Sequence, residues 1–154
     1  MRRISIIMIL FCLLSSHFAF AGDKTTGDKT IGKIKNLTND VKVLRYGKEF
    51  IPVLGTALFN KDTLKTGSNG TMGILLTDDT IFSLGPDSEL NLDTFYFDLP
   101  NKKFSLAARM IKGTFIFISG LMGKISPESI ELSTPDGIVA IRGTKIAIQI
   151  KGKK

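Results

Sequence analysis

Apolar and polar residues alternate in short stretches along most of the chain from Lys33 onward. In residues 89–93 leucines alternate with Glu, Asn and Asp, and in residues 114–118 phenylalanines alternate with Thr and Ile. Turn-forming Gly, Asp, Asn and Pro residues separate the stretches, and a period of two over about four to eight residues is typical of β-strands. The pattern therefore predicts an all-β fold, with many short strands in a twisted, solenoid-like or sandwich-like array and little helix. Residues 102–113 fit either a strand or a short helix.

The last predicted strand contains a charged residue in an apolar context. Strict alternation would bury Arg142 and expose Val139 and Ile141, although an unpaired buried guanidinium is strongly unfavourable. A β-bulge at Arg142 and Gly143 solves this, because the extra residue reverses the alternation and glycine tolerates unusual backbone angles. Thr144 then closes the bulge, and Arg142 is free either to clamp a loop or to contact a ligand or partner. After the bulge, the residues predicted to point inward are Ile146, Ile148 and Ile150.

Three adjacent aromatic residues, Phe95, Tyr96 and Phe97, form a second candidate site. Neighbouring residues of a strand point to opposite faces, so at least one ring faces outward unless both faces are covered. One interpretation is a strand with core on both sides. The other is an exposed aromatic contact for a saccharide or a protein partner.

The first residues have the features of a secretory signal. Two arginines are followed by an apolar run and then by the sequence Ala-Phe-Ala at residues 19–21. This pattern predicts a signal peptide over residues 1–21, cleaved after Ala21, and a periplasmic or secreted mature protein. An uncleaved inner-membrane anchor is the alternative. The polar, Gly-rich residues 22–36 are predicted to be a flexible leader, and residues 37–151 to be the β domain.

Cleavage of this signal would remove the single cysteine, Cys12, and the single histidine, His17. The mature chain would then have no thiol for a disulfide and no imidazole for a Ser-His-Asp or Cys-His catalytic group. Zinc sites built from Cys and His are excluded for the same reason. We therefore expect no cofactor, no metal site and no catalytic residues. A hydrolase that uses carboxylates alone is the remaining enzymatic alternative.

The mature chain is predicted to be basic. Loss of the two N-terminal arginines lowers the formal net charge from +7 to +5, and most of the excess is lysine near the two ends. Such lysines usually keep a terminal tail solvated; the alternative is weak attraction to an anionic surface such as phospholipid or a wall polymer. Nucleic acid is not an expected partner, because the chain has no Trp and does not interleave basic with aromatic residues. Once the signal is removed, no membrane span is expected.

Several short motifs, taken in order, resemble the FecR domain family. They are NKDTLKTGSNG, LLTDDTIFSLGPDSEL, IKGTF and, near the end, TPDGIVAIRGTKIAI. Each motif alone is weak, but the ordered set is more specific and covers about residues 40–150. The matching residues are Asp62, Thr66, Gly67, Asp79, Leu84, Gly85, Ser88, Gly113, Thr134, Pro135, Gly137, Arg142, Gly143 and Thr144.

This resemblance implies a periplasmic, all-β module that is not an enzyme. It implies binding or scaffolding at the cell envelope, with a protein or an envelope polymer as the partner. An accessory role in transmembrane signalling or iron-uptake regulation, together with a separate membrane regulator, is the alternative. That alternative follows from the family's name-giving members, which are inner-membrane regulators.

Overall fold

The computed structural model describes residues 29–139, 141 and 145–151. The predicted signal peptide and the first part of the predicted leader lie outside these residues. Strands make up 60% of the described residues and helices 7%, which confirms the predicted all-β class. The strands are β1 (Gly32–Thr38), β2 (Val41–Arg45), β3 (Lys48–Phe50), β4 (Ala57–Leu58), β5 (Thr63–Thr66), β6 (Thr71–Leu76), β7 (Ile81–Leu84), β8 (Glu89–Asp98), β9 (Lys103–Ile118), β10 (Ile130–Thr134), β11 (Gly137–Val139) and β12 (Lys145–Ile150). The helical elements are α1 (Leu121–Ile125) and a 3₁₀ turn at Pro127–Ser129.

Strand β9, with 16 residues, belongs to both halves of one curled sheet. Half A has the order β4-β1-β6-β7-β9-β12, and half B has the order β3-β2-β5-β8-β9-β10-β11. The first part of β9 pairs with β8 in half B, and its last part pairs with β7 in half A. Every pairing among the described strands is antiparallel except that of β10 with β9. β9 therefore joins the two halves through its own backbone hydrogen bonds.

The inward face of β9 changes at Gly113. Met110 is buried before this point and Phe115 after it, an odd separation that a regular strand cannot place on one face. Gly113 has φ +104°, a conformation that L-residues with a Cβ rarely adopt, and a Cβ at this position would also overlap Ser88. Glycine is thus required here both by the backbone angle and by the space available.

The two halves share one cluster of buried hydrophobic side chains. The strand register builds a cross-strand row of inward side chains in each half, and such rows are the unit of sheet stabilisation. The rings of Phe82 and Phe117 have centroids 5.0 Å apart within this core. In half A the row is Ile34, Ile74, Phe82 and Phe117, and in half B it is Val43, Leu64, Leu90 and Met110.

The domain begins earlier than the sequence indicated. β1 starts at Gly32, and Ile31 and Ile34 are buried, so the predicted flexible leader over residues 22–36 is wrong for residues 32–36. Within residues 32–36, Ile34 is the single apolar side chain that points inward, and the exposed Lys33 and Lys35 flank it. One apolar position is too short a pattern to reveal a strand in a Gly- and Lys-rich segment.

The last predicted strand is in fact two strands with different partners. β11 pairs with β10 in half B, whereas β12 pairs with β9 in half A. The three isoleucines of β12 are half-buried against the core and Lys145 and Gln149 are exposed, as predicted. The bulge itself stays a prediction, because it falls on residues outside the described ones: Arg142, Gly143 and Thr144.

Of the segment that fits either helix or strand, residues 103–113 form the first part of β9. β8 and β10 bond to it from both sides, so strand pairing overrides the helical preference of Ala107 and Ala108. Across residues 29–139, 141 and 145–151, no helix has the length and apolar character needed to cross a membrane.

Candidate binding surface

The three predicted aromatic residues lie on β8 and point in different directions. Phe95 is buried at 5% exposure, whereas Tyr96 is 44% exposed. The ring of Phe97 is half-buried and packs against Phe104, with centroids 5.5 Å apart. The structure therefore separates these rings between core and surface, and Tyr96 is the most exposed of the three.

Tyr96 is also engaged with the turn that follows β8. Its hydroxyl donates a hydrogen bond to Asp98 Oδ2 at 3.2 Å, which raises the pKa of Tyr96. Asp98 accepts bonds from the Asn101 side chain at 2.8 Å and from the Asn101 backbone N–H at 3.1 Å, and these bonds lower the pKa of Asp98. The exposed tyrosine is thereby held along the β8–β9 hairpin.

Asn60 fixes the backbone beneath this aromatic segment. The Phe95 N–H donates to Asn60 Oδ1 at 2.6 Å, and Asn60 Nδ2 donates to the Phe95 carbonyl at 3.2 Å. A cavity of about 110 Å³ lies between these residues and the segment before β1, where Lys29 and Thr30 line it. Pockets for drug-sized ligands are about 300 Å³ or larger, so this cavity does not suit such a ligand.

Several residues that carry the family resemblance build the scaffold rather than a site. Asp62 has 0% exposure and accepts bonds from Arg45 Nε and Nη2, each at 2.7 Å, and from the Phe59 N–H at 2.9 Å. The Arg45 guanidinium lies 4.4 Å from the Phe59 ring centroid and 5.3 Å from that of Phe50. Asp62 therefore fixes the loop before β5 and holds the arginine between two rings.

A second set of the same kind joins β5, the β7–β8 turn and β9. Thr66 Oγ1 donates to the Gly85 carbonyl at 2.6 Å and accepts from the Ser88 N–H at 2.9 Å. Ser88 Oγ in turn accepts from the Thr114 N–H at 3.0 Å, next to the bend of β9. These hydroxyls satisfy backbone groups at the point where the two halves meet.

A buried carboxylate connects the β6–β7 turn to the start of α1. Asp78, with 0% exposure, accepts bonds from the Thr80 N–H at 3.0 Å, the Thr80 hydroxyl at 2.8 Å and the Met122 N–H at 3.3 Å. Thr80 Oγ1 accepts a bond from the Gly120 N–H at 3.0 Å. Asp78 is thus committed to structural hydrogen bonds.

The outer face of half B is polar, as expected for a sheet face that water covers. One cross-strand row on this face is Lys42, Lys65, Glu89 and Lys112. Glu49 of the edge strand β3 accepts a bond from Lys65 at 2.9 Å, and that bond lowers the pKa of Glu49. Arg109 and Asp93 form another exposed pair at 2.8 Å on this half. We call this surface the polar face.

The outer face of half A is aliphatic at its centre. The strand register places Leu75, Ile81 and Ile118 side by side in one row, and Ile116 lies in the next row. All four side chains are half-buried, so they retain part of their contact with solvent. Exposed lysines flank the three aliphatic residues of the first row, which is Ala57, Lys33, Leu75, Ile81, Ile118 and Lys145 in order. We call this surface the aliphatic face.

One end of the aliphatic face contains an open depression of about 410 Å³. Leu75 and Ala57 supply part of its apolar wall, and Lys33 and Asp79 supply opposite charges. The depression continues toward the smaller cavity beside the aromatic segment, since Thr30 and Thr77 line both. A concave, largely apolar surface thus lies beside the lysine at this end of the row.

Sequence reasoning missed the aliphatic face, although a signal for it was present. β6 and β9 contain runs of consecutive apolar residues, Ile-Leu-Leu at 74–76 and Phe-Ile-Phe-Ile at 115–118. An uninterrupted apolar run indicates a strand that is covered on both sides. The sequence does not show which of the two sides belongs to the core, so it does not identify the outer one.

No group of three or more Asp, Glu, His or Cys side chains suited to a metal ion occurs among the described residues. The cavity beside the aromatic segment has no carboxylate in its lining. Asp79 lines the open depression, and Asp87 lines a third cavity of about 280 Å³. None of these three cavities brings two carboxylates together.

Comparison with known proteins gives one family match. The sequence model described as "FecR protein" matches residues 62–154. Neither the search of curated proteins nor the search of solved structures found a match. The matched segment includes β5 to β12 and therefore most of both outer faces.

Proposed function

From the premise that this chain belongs to the FecR family, we propose that it is a non-catalytic binding module of the cell envelope whose aliphatic face contacts a protein partner. FecR-family domains are typically periplasmic, and the family is a regulatory one that acts in signalling with protein partners. The family therefore favours a protein partner over a small-molecule substrate.

The difference between the two outer faces is the observation that carries the proposal. An antiparallel sheet that faces water on one side normally alternates apolar inward and polar outward. Half B follows this rule, with Lys42, Lys65 and Glu89 on its polar face. Half A does not, because its outward Ile81 and Ile118 are as apolar as its inward side chains. Cover by a partner would remove this aliphatic surface from water, which is the dominant favourable contribution to most protein association.

The charges around the face suggest what the partner carries. Lys33 and Lys145 are exposed on opposite sides of the three aliphatic residues in this row. A matching surface has an apolar centre and carboxylates at its rim, since rim charges steer and orient an encounter while the buried centre supplies affinity. The candidate residues Arg142, Gly143 and Thr144 precede Lys145 directly in the chain and lie outside the described residues, so their role as contacts stays a prediction.

A photo-crosslinking residue placed at Ser83 in living cells tests the proposal. Ser83 lies in the same row as Ile116 on the aliphatic face. Thr63 is the matched control, because it is also half-buried but lies on the polar face. We expect a crosslinked protein from Ser83 and little from Thr63. Equal capture from both positions would contradict the proposal, and a saccharide adduct would identify an envelope polymer instead.

Family membership also favours a second candidate function, an accessory role in transmembrane signalling or iron-uptake regulation. In this case the partner captured from Ser83 is a membrane regulator or a receptor. A soluble envelope protein or a structural envelope component supports the scaffolding role instead. Identification of the crosslinked protein by mass spectrometry distinguishes the two.

A further inference from the structure

A separate apolar surface lies on the loop that connects β3 to β4. Ile51, Val53 and Leu54 are 78%, 69% and 64% exposed, whereas Pro52 between them is buried. Single exposed aliphatic residues are ordinary, but a contiguous group of them marks an interaction site. We call residues 51–56 the apolar loop.

Backbone hydrogen bonds hold the apolar loop in place. The Thr56 N–H donates to the Val53 carbonyl at 3.1 Å, and the Val53 N–H donates to Thr56 Oγ1 at 3.0 Å. The Gly55 N–H donates to the Ile34 carbonyl at 2.9 Å, and the Ile34 N–H donates to the Thr56 carbonyl at 3.0 Å. Gly55 has φ +81°, which closes the turn after Leu54. The exposed side chains are therefore presented by an ordered turn that is anchored to β1.

The charges next to this turn are mostly positive. Lys33 and Lys35 are exposed on β1, on either side of the residue that bonds to the loop. Lys48 is exposed on β3, three positions before the loop begins. The nearest carboxylate in the sequence, Glu49, is engaged by Lys65 at 2.9 Å and by Lys42 at 3.8 Å. The neighbouring Asp79 lines the depression that Lys33 and Gly55 also line.

We propose that the apolar loop inserts into the interfacial region of an anionic phospholipid leaflet, with Lys33, Lys35 and Lys48 contacting lipid phosphates. A stable protein interface buries about 800 Å² on each partner, more than three aliphatic side chains supply. Interfacial lipid binding requires only a small inserted apolar surface together with basic residues that are attracted to anionic headgroups. The chemistry of this loop therefore fits a leaflet better than a protein. The proposal goes beyond the protein contact of the aliphatic face: its apolar residues are different ones, and the two surfaces share Lys33.

A tryptophan at the loop tip tests insertion directly. The chain has no Trp, so Leu54→Trp introduces a single fluorescent reporter into the protein as purified from cells. We expect its emission to shift to shorter wavelength with vesicles of phosphatidylglycerol and phosphatidylethanolamine, and to stay unchanged with phosphatidylcholine vesicles. Ile138→Trp is the matched control, because Ile138 is 71% exposed on β11, at the opposite edge of half B from β3. Absence of a shift for Leu54→Trp, or an equal shift for Ile138→Trp, would overturn the proposal.

Vesicle cosedimentation provides a second readout without a new aromatic residue. The combined Ile51→Ser, Val53→Ser and Leu54→Ser variant is expected to lose at least about tenfold in partitioning to the anionic vesicles, because it removes most of the inserted apolar area. Lys33→Glu with Lys35→Glu is expected to weaken binding and to reduce its salt dependence, since Lys48 remains. Unchanged partitioning of the serine variant would refute insertion. If the serine variant still partitions to the vesicles but loses a protein crosslink that the unchanged chain forms in cells, the loop is a protein contact and the lipid proposal is wrong.

Discussion

Arg45 and Asp62 form a bidentate ion pair in which both N···O distances are 2.7 Å. The Asp62 side chain is fully buried, and the Arg45 side chain is 24% exposed. The same guanidinium donates to the Ala57 carbonyl at 2.8 Å, so it also holds the start of β4. The pair therefore joins β2 to the start of β4 and to the loop between β4 and β5.

Replacing Asp62 with Asn should destabilise the domain by about 2 to 4 kcal/mol, because the partly buried guanidinium loses its charged partner. Partial solvent access to Arg45 keeps this value below that of a fully buried pair. Denaturant unfolding gives the free energy directly. Asp93→Asn is the matched control, since the Asp93 and Arg109 side chains are 38% and 50% exposed, and it should cost at most about 1 kcal/mol. Equal losses for both variants would show that burial does not decide the strength of the first pair.

Gly113→Ala should lower stability by more than about 2 kcal/mol, since it combines backbone strain with overlap on Ser88. Gly47→Ala separates the two effects. Gly47 has φ +76°, and a Cβ added there would have no neighbouring atom within 4 Å, so only the backbone strain of about 1 to 2 kcal/mol remains. Thermal unfolding of both variants measures the difference. A Gly113→Ala variant no less stable than Gly47→Ala would contradict the predicted overlap.

Asn101→Ala should raise the pKa of Asp98 toward its ordinary value of 3.8, because it removes the side-chain bond from Asn101, which is the largest cause of the lowering, and keeps only the backbone N–H bond. The direction of this shift determines how the free energy of unfolding changes with pH. A carboxyl with a lowered pKa in the folded state stabilises the protein above the unfolded pKa, and this stabilisation is lost as the pH falls through the folded pKa. The stability difference between wild type and Asp98→Asn should accordingly shrink below about pH 4. Carboxyl carbon NMR titration measures the pKa, and unfolding at several pH values measures the linked stability.

Ile81→Thr should weaken crosslinking from Ser83 by about tenfold while it changes stability by less than about 1.5 kcal/mol. Ile81 lies on the aliphatic face and is half-buried, so we expect its side chain to contribute more to the free energy of binding than to that of unfolding. Its neighbour Phe82 points into the core with 0% exposure, and Phe82→Ala should cost about 3 to 5 kcal/mol. Capture that is unaffected by Ile81→Thr in a folded protein would exclude this residue from the contact.

The sequence was sufficient for the fold class because its alternation is strong where one face is buried. β8 is clear from Leu90 and Leu92, whereas β1 is not, because Ile34 is the single apolar residue in its first part and lies between exposed lysines. β9 stays ambiguous in sequence because its pairing with β8 and β10, rather than local preference, determines its conformation.

The candidate surfaces were harder to predict for different reasons. Arg45 and Asp62 are 17 positions apart, and a lone charge in a sequence is more often solvated than buried. The aliphatic face depends on which side of β6 and β9 faces the core, which only the register of their neighbours decides. The exposure of Ile51, Val53 and Leu54 depends on the burial of Pro52 and the bonds to Ile34. Alternation along the chain contains none of this information.

The sharing of β9 between the two halves has a consequence for how the domain opens. Because one strand is a central neighbour in both halves, neither half can separate from the other without breaking that strand's hydrogen bonds. Native-state hydrogen exchange should thus give Met110 and Phe117, on opposite sides of the bend, the same opening free energy. A partner that stabilises one half then slows the opening of the other, so binding at the aliphatic face of half A would stabilise half B as well.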